Sequence, residues 1–384
     1  MIVNIYGSTG EIGKKTLNII SKNFPYLKIN LLCANSNVKL IFKQINKFKP
    51  KYVYLNNENS SKKLQSKLNK NTKLLNYDEL KKYLKETKSD YSILAISGYK
   101  SLYYIEDIIK NTTNLGIANK EVFVSAGHIF KKKKYFKKTN IFPLDSEHFS
   151  IHEYLDNLIS KNTIKEFIIT ASGGPFYKTN FKDLKNITFN EAIKHPKWKM
   201  GYKNSIDSAT LVNKCLEVIE AHYLFNIPFN NIKVLIHPQA LVHSVIIKKN
   251  YVTTMNMFKN DMSIPIINFF THSGISSKKS DKKLFVYDLS ELQFLDVNYN
   301  KFPIYKYFLK LNKYDPSNLI KLNVGNEFAV NLFKKGRIRY TDIYKIIKKV
   351  ISLNLYYPLN TIKDVINYHE DLENKIKDIF KNII

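Results

Sequence analysis

Acidic residues are scarce in this chain of 384 residues: 32 Asp and Glu stand against 61 Lys and Arg, a formal net charge of +29. Cysteine is rarer still. Cys33 and Cys215 cannot build a zinc cluster and do not suggest a disulfide framework, so a reducing, cytoplasmic compartment is expected. No apolar run reaches membrane-spanning length, and no leader-like segment precedes the opening Met1-Ile2-Val3-Asn4-Ile5-Tyr6, which already reads as a buried strand. No membrane association is expected. Also missing is any RRM, zinc-finger or similar nucleic-acid signature. The lysines are spread along the whole chain among Asn, Ile, Tyr and Phe, and the densest run, Lys131 to Lys134 with Lys137 and Lys138, reads as a solvated face. The charge should attract anionic substrates and cofactors, with no nucleic-acid partner expected.

What is present is ample material for a core, 44% hydrophobic and 13% aromatic, in a chain long enough for two or three domains. Short apolar runs at Ile2–Tyr6, Lys28–Leu32, Tyr52–Leu55, Ser92–Ile96, Leu115–Ala118 and Asn140–Leu144 alternate with amphipathic stretches, the rhythm of a parallel, doubly wound sheet. Glu166–Thr170 and Lys233–Ile236 read as further strands and Ala209–Phe225 as a strong helix; from Leu292 onward the pattern is mainly helical. The expected organisation is α/β: a parallel-sheet nucleotide-binding domain (1–145), a central α/β catalytic domain (146–285), a linker (286–299) and a small helical C-terminal domain (300–384).

Gly7-Ser8-Thr9-Gly10-Glu11-Ile12-Gly13 follows the first strand and opens a helix. Its glycines allow a tight turn and close backbone approach, and the helix start then offers amide donors to a pyrophosphate. The other reading is a strand-to-helix turn that needs glycine for steric reasons alone. Cys33-Ala34-Asn35-Ser36-Asn37, after the second strand, holds no Asp or Glu to grip a ribose, which favours NADP over NAD; the nearest cation is Lys39.

The few carboxylates that stand out are Asp145, Glu147 and Glu217. If the chain stays extended through Glu147, Asp145 and Glu147 share one face, with Ser146 on the other, and the pair could share a Mg²⁺ or Mn²⁺. Alone, the pair reads better as a salt-bridged surface pair. Further on, Asp207 or Ser208 is a natural helix cap, and Leu211, Cys215, Val218 and His222 trace one stripe toward a core. Asn213 and Glu217, four apart, share another face with Lys214 adjacent. Ser208, Asn213 and Lys214 would suit a phosphate, and Ser172-Gly173-Gly174, after a strand, could complete its cradle. His195-Pro196-Lys197-Trp198-Lys199-Met200-Gly201 carries the only tryptophan, and reads as a lid.

With these motifs in order, the chain resembles the 1-deoxy-D-xylulose 5-phosphate reductoisomerase family. The likeness rests on residues 7–13, Ala118-Asn119-Lys120-Glu121, Leu144 to His148, Ala171 to Phe176, His195 to Gly201, Ser205 to Glu220, Ile236-His237-Pro238-Gln239, Gly325-Asn326-Glu327 and Arg339-Tyr340-Thr341-Asp342. It implies a Rossmann-like first domain, a homodimer, and an NADPH- and metal-dependent enzyme of isoprenoid precursor synthesis that rearranges and reduces a sugar phosphate. Asp145, Glu147 and Glu217 would ligate the metal and, with Lys120, form the catalytic set. Ser146, Lys120, Glu147 and Glu217 would meet the reacting end of the substrate; Ser172, His195, Ser208, Asn213 and Lys214 would hold the rest, chiefly its phosphate. Thr9, Gly10, Glu11, Ile12, Ser36, Asn37, Asn119, Glu121 and Gly201 would contact NADPH. The chain departs from the family at Glu11 (usually Ser), Ser36 (often Lys or Arg), the Gly98-Tyr99-Lys100-Ser101 loop and Cys215 (usually Gly). Glu11 is expected to turn away or pair with Lys14 or Lys15, and the helix is expected to accept Cys215.

Overall fold

The computed structural model describes residues 1–133, 138–156, 163–197, 201–272, 274–277 and 291–383. Lys134 and Lys137 of the basic run, Trp198 to Met200 of the expected lid, and residues 286–290 of the expected linker lie outside them. Two compact units result, neither continuous in the chain: residues 1–119, 133–152 and 261–286 form one, and 120–132, 153–260 and 287–384 the other.

The first unit is built on strands β1 (Ile2–Tyr6), β2 (Lys28–Ala34), β3 (Tyr52–Leu55), β4 (Lys73–Leu75), β5 (Ser89–Leu94), β6 (Thr112–Ile117) and β7 (Asn140–Pro143). They pair in parallel in the order β4-β3-β2-β1-β5-β6-β7. Parallel strands covered by helices on both faces must be apolar throughout, and Val3, Ile5, Leu31, Leu32, Val53, Ile93, Leu94, Leu115 and Ile117 are indeed buried. The order reverses at β1, which lies between β2 and β5, and this opens a crevice beyond their carboxyl ends. A late segment returns to this unit: helix Ser263–His272 sets Phe269 and Phe270 against Tyr91, with ring centroids 5.7 and 5.5 Å away.

The second unit holds β8 (Ile164–Ala171), β9 (Ile232–Ile236), β10 (Val242–Lys248) and β11 (Thr253–Met257) in the order β11-β10-β8-β9. β8 and β9 are parallel, while β10 runs antiparallel to β8 and to β11. Ile168, Val242 and Val245 form the apolar cluster on this sheet. The expected C-terminal helices are present as Pro303–Lys310, Pro316–Lys334, Asp342–Ile351 and Ile362–Ile379. The expected helix over Ala209–Phe225 needs correction. It runs Val212–Phe225, and a separate helix, Tyr202–Ala209, precedes it. Leu211 between them is left-handed (φ 64°), so neither Asp207 nor Ser208 is a helix cap; both lie in the last turn of the earlier helix.

Candidate active site

In the first unit, a cavity of about 580 Å³ opens at the carboxyl ends of β1, β2, β3 and β5, lined by Gly7, Thr9, Gly10, Asn35, Ile96 and Lys100 among others. The glycines build it. Gly7 has φ +95°, and a Cβ there would collide with the Ala95 carbonyl; a Cβ on Gly13 would strike the Gly7 carbonyl and Ser8 backbone. The turn is pinned from below: Ser8 Oγ donates to Gln44 Oε1 (2.9 Å) and Gln44 Nε2 donates to the Ser8 carbonyl (2.8 Å). Gly10 precedes the helix Glu11–Asn23 with no side-chain cap, so first-turn amides remain for an anionic ligand.

The other nucleotide-side residues have structural duties as well. Glu11 pairs with Lys14 (2.5 Å) at the surface, whereas Lys15 pairs with Asp261 (2.8 Å). Asn37 caps the helix Val38–Phe48, its side chain accepting from the Leu40 amide (3.0 Å), and Ser36 beside it is exposed. Asn119 is buried and donates to the carbonyls of Ile96 and Gly98 and to Ser101 Oγ, holding the loop after β5 over the cavity.

Asp145 and Glu147 do not lie on an extended strand. A helix begins at Ser146 and runs to Asp156, so the expected alternation is wrong. Asp145 Oδ1 accepts from the Glu147 amide (3.1 Å) and lies 2.8 Å from His148 Nδ1, and Ser146 Oγ donates to Glu147 Oε2 (2.7 Å). A carboxylate at a helix N-terminus is favoured by the helix dipole and by the free first-turn amides. His148, fully buried, orients Asp145, a duty that sequence reading did not assign to it.

The second unit gathers Lys120, Asn213, Lys214 and Glu217. Glu217 is 1% exposed at its side chain, and Lys214 Nζ (2.5 Å to Oε2) and Lys120 Nζ (3.0 Å to Oε1) both donate to it. Asn213 Nδ2 also donates to Oε1, and Lys120 donates to Asn213 Oδ1 (2.9 Å). The four-residue spacing does place Asn213 and Glu217 together, and Leu211, Cys215, Val218 and His222 are all buried. Cys215 sits inside an intact helix, as expected.

Close to this strip in sequence, Ser172, His195 and Ser208 meet. His195 Nε2 lies 3.0 Å from Ser172 Oγ and 3.1 Å from Ser208 Oγ. The Lys197 amide donates to His195 Nδ1 (3.2 Å), which leaves the ring proton on Nε2, facing the serines. Gly173 and Gly174 have φ of +82° and +67°, and a Cβ on Gly174 would stand 2.9 Å from Ala209 Cα and 3.0 Å from the Ser208 carbonyl. Only glycine lets this turn approach so closely. Gly201 caps the helix Tyr202–Ala209 in open space.

A buried bracing network supports the same segment, and sequence reading missed it. Lys203 donates to Asp207 Oδ2 (2.8 Å) and lies 3.3 Å from Glu121 Oε1. Asn326 Nδ2 donates to Asp207 Oδ1 (2.7 Å), and the Tyr340 hydroxyl donates to the Ala209 carbonyl (2.6 Å). The late motifs that contain Asn326 and Tyr340 were the available signal. Burial alone would raise the Glu121 carboxyl, but Lys203 holds it below the usual range. At Glu327 burial wins: it pushes the carboxyl up to about 7, Lys203 opposing and Glu121 and Asp207 adding to the rise. Between pH 4.5 and 7 the folded chain therefore binds more protons at Glu327 than the unfolded chain, so stability falls as pH rises through that window. The full decline should be on the order of 3 kcal/mol. Denaturant titrations at pH 5 and 7.5 should show a smaller loss in Glu327→Gln than in wild type.

Together, the glycine turn at the reversal of a parallel sheet and the lysine–carboxylate strip of the second unit define an α/β oxidoreductase. Family models match three stretches: 1-deoxy-D-xylulose 5-phosphate reductoisomerase over residues 3–127, the C-terminal domain of the same enzyme over 141–225, and a further DXP reductoisomerase C-terminal domain over 257–376. The chain is 37% identical over 370 residues to the reductoisomerase of Pelagibacter ubique, covering 94% of this chain and 93% of that protein. It is 36% identical over 379 residues to that of a Sulfurihydrogenibium species, covering 99% and 98%. Among solved structures, a DOX-P reductoisomerase in complex with NADPH, fosmidomycin and magnesium superposes with a TM-score of 0.87 at 30% identity, covering 100% of this chain and 98% of that one. The Zymomonas mobilis enzyme in complex with NADPH gives 0.85 at 28%, covering 98% of each chain. The chain belongs to the 1-deoxy-D-xylulose 5-phosphate reductoisomerase family.

Proposed function

We propose that this protein binds NADPH and a divalent cation, Mg²⁺ or Mn²⁺, and converts 1-deoxy-D-xylulose 5-phosphate by rearrangement and reduction to 2-C-methyl-D-erythritol 4-phosphate, a step of non-mevalonate isoprenoid precursor synthesis. The observation that carries this reading is the buried strip of Lys120, Asn213, Lys214 and Glu217, in a chain whose relatives of known structure hold NADPH and magnesium.

Asp145, Glu147 and Glu217 are the residues that would hold the metal. Carboxylate oxygens are the hard donors such an ion requires, and Glu217, having drawn two ammonium groups, is a point that favours positive charge. When bound, the cation supplies Lewis acidity at a ketone oxygen and the nicotinamide supplies hydride. The chain's own residues do the rest. Lys120 and Ser146 would position the hydroxyl and carbonyl end of the substrate. Ser172, Ser208, the Nε2–H of His195, Asn213 and Lys214 would donate to its remainder, chiefly the phosphate, and that remote binding would orient the reacting carbons. Thr9, Gly10, Glu11 and Ile12 at the glycine turn, Ser36 and Asn37 after β2, and Asn119, Glu121 and Gly201 would contact NADPH. Residues 195–201 would close as a lid. Residues 1–145 would serve the nucleotide, 146–285 catalysis and dimer formation, 286–299 as a linker, and 300–384 as a helical brace. The protein would work as a cytoplasmic homodimer; no helix among the described residues is long and apolar enough to cross a membrane.

The deciding assay is NADPH oxidation with 1-deoxy-D-xylulose 5-phosphate, with and without added Mg²⁺ or Mn²⁺, followed by product identification. Metal-dependent formation of the branched product is expected. An unbranched product would replace this reading with a simple sugar-phosphate dehydrogenase. Tight, steeply salt-dependent RNA or DNA binding without any NADPH oxidation would overturn it entirely. At the cofactor, Glu11→Ser should tighten NADPH binding about two- to fivefold at low salt and less at high salt, since it removes an exposed charge from the helix start. Fluorescence titration of NADPH at two ionic strengths measures this.

A further inference from the structure

Within the second unit, a cavity of about 680 Å³ lies between the helix Glu121–Lys133 and the C-terminal helices. Lys321 and Lys132 line it, with His128, Asn318, Asn360 and Asp315. Lys321 is unusual among them. It sits in the helix Pro316–Lys334, is only 6% exposed, and has no hydrogen-bond or ion-pair partner among the described residues. Its stem is buried while its ammonium faces the cavity, where no protein group among the described residues bonds to it. The one carboxylate on the cavity wall, Asp315, caps that helix, its Oδ1 accepting from the Ser317 amide (2.9 Å), and forms no ion pair with Lys321. His128 adds no charge, because burial lowers its pKa and its Nε2 faces the Leu359 carbonyl at 2.8 Å. Lys375, tied to the Asn354 carbonyl (2.7 Å), adds a like charge that acts on Lys321.

We propose that this cavity is a second ligand site, distinct from the catalytic one, which binds a small phosphorylated anion through Lys321 and Lys132. An anionic phosphate would give Lys321 the partner it lacks, with Lys132 on the same wall as a second cation. The volume exceeds what inorganic phosphate needs and suits a small organic phosphate. Burial also lowers the pKa of Lys321, with Asp315 opposing, which makes its amine a better nucleophile at neutral pH than a surface lysine.

That reactivity provides the test. Pyridoxal 5′-phosphate carries both a phosphate and an aldehyde; with the free amine of a lysine it forms an imine and releases water, and borohydride then reduces the C=N bond to a stable amine. The full-length protein would be labelled with limiting reagent, with and without millimolar inorganic pyrophosphate at matched ionic strength in chloride, and the modified lysines mapped by peptide mass spectrometry. Labelling of Lys321 should exceed that of surface lysines and drop about tenfold with pyrophosphate. Protection at Lys120 or Lys214 appears on other peptides and reports on the catalytic site, so the two sites are read separately. If Lys321 is labelled no faster than surface lysines, or pyrophosphate fails to protect it, the site does not exist. Lys321→Met gives a second measure: titration calorimetry with pyrophosphate should lose one of two binding events while NADPH oxidation persists. An unchanged isotherm would overturn the proposal.

Discussion

Glu217→Gln should lower kcat by roughly a thousandfold or more while leaving NADPH affinity within about threefold, an effect of the size seen when one preorganised charge contact is removed from a reacting centre. The substitution keeps the shape of the side chain and removes its charge. Lys120 and Lys214 now share one carboxylate, and an amide would turn an NH₂ toward one of the two ammonium groups. It would also withdraw one of the three carboxylates proposed for the metal. The nucleotide cavity belongs to the other unit and keeps every contact it makes there. Because Lys214 is nearly buried, stability should fall too, by about 3 kcal/mol, the scale expected when a buried ion pair loses one partner. Steady-state kinetics, NADPH titration and a denaturant melt separate these effects. Equal losses in turnover and NADPH affinity would count against the assignment of Glu217.

Gly174→Ala should be nearly as damaging although it adds one methyl group. The position has φ +67°, costing any non-glycine residue about 1–2 kcal/mol, and the new Cβ would press on backbone rather than on a side chain that could swing away. The atoms it meets belong to Ser208 and Ala209, so relief must come from moving the turn or the end of the helix that carries Ser208. Either movement separates Ser172 from Ser208 and undoes the geometry around His195. The expected result is a drop of about a hundredfold in kcat/KM, mostly through substrate KM, because orientation errors near 1 Å cost on that order. Unaltered kinetics would show that the turn has no part in holding the substrate.

The parallel sheet was largely legible before any coordinates, since strands buried on both faces are unbroken apolar runs; β4 escaped because Lys73-Leu74-Leu75 is too short to show a pattern. β10 and β11 escaped for a different reason. The buried His243 and Ser244 interrupt the apolar run of β10, and β11 exposes Met255. The break at Leu211 had no local signal, because leucine is not a residue that favours a left-handed backbone. Asp145-Ser146-Glu147 was misread despite a signal, an acidic residue at a helix start followed by another in the first turn. At the site, the pairing of Asn213 with Glu217 follows from helical spacing alone. The roles of Lys203, Asn326 and Tyr340 do not: Asn326 and Tyr340 each reach their partners across more than a hundred residues, and no local pattern encodes that.

The tie from Tyr340 to the Ala209 carbonyl and from Asn326 to Asp207 has a consequence for how the protein fails. Ser208 lies between those two anchor points, yet both anchors are far downstream: Asn326 on the helix Pro316–Lys334, and Tyr340 just before the helix Asp342–Ile351. On warming, fraying of the C-terminal helices should release the Ser208 segment at the same temperature, so loss of catalysis and loss of helical signal would trace one curve. A late frameshift or stop codon, even one well past the last residue expected to touch substrate, would then be as damaging as a mutation in the site itself.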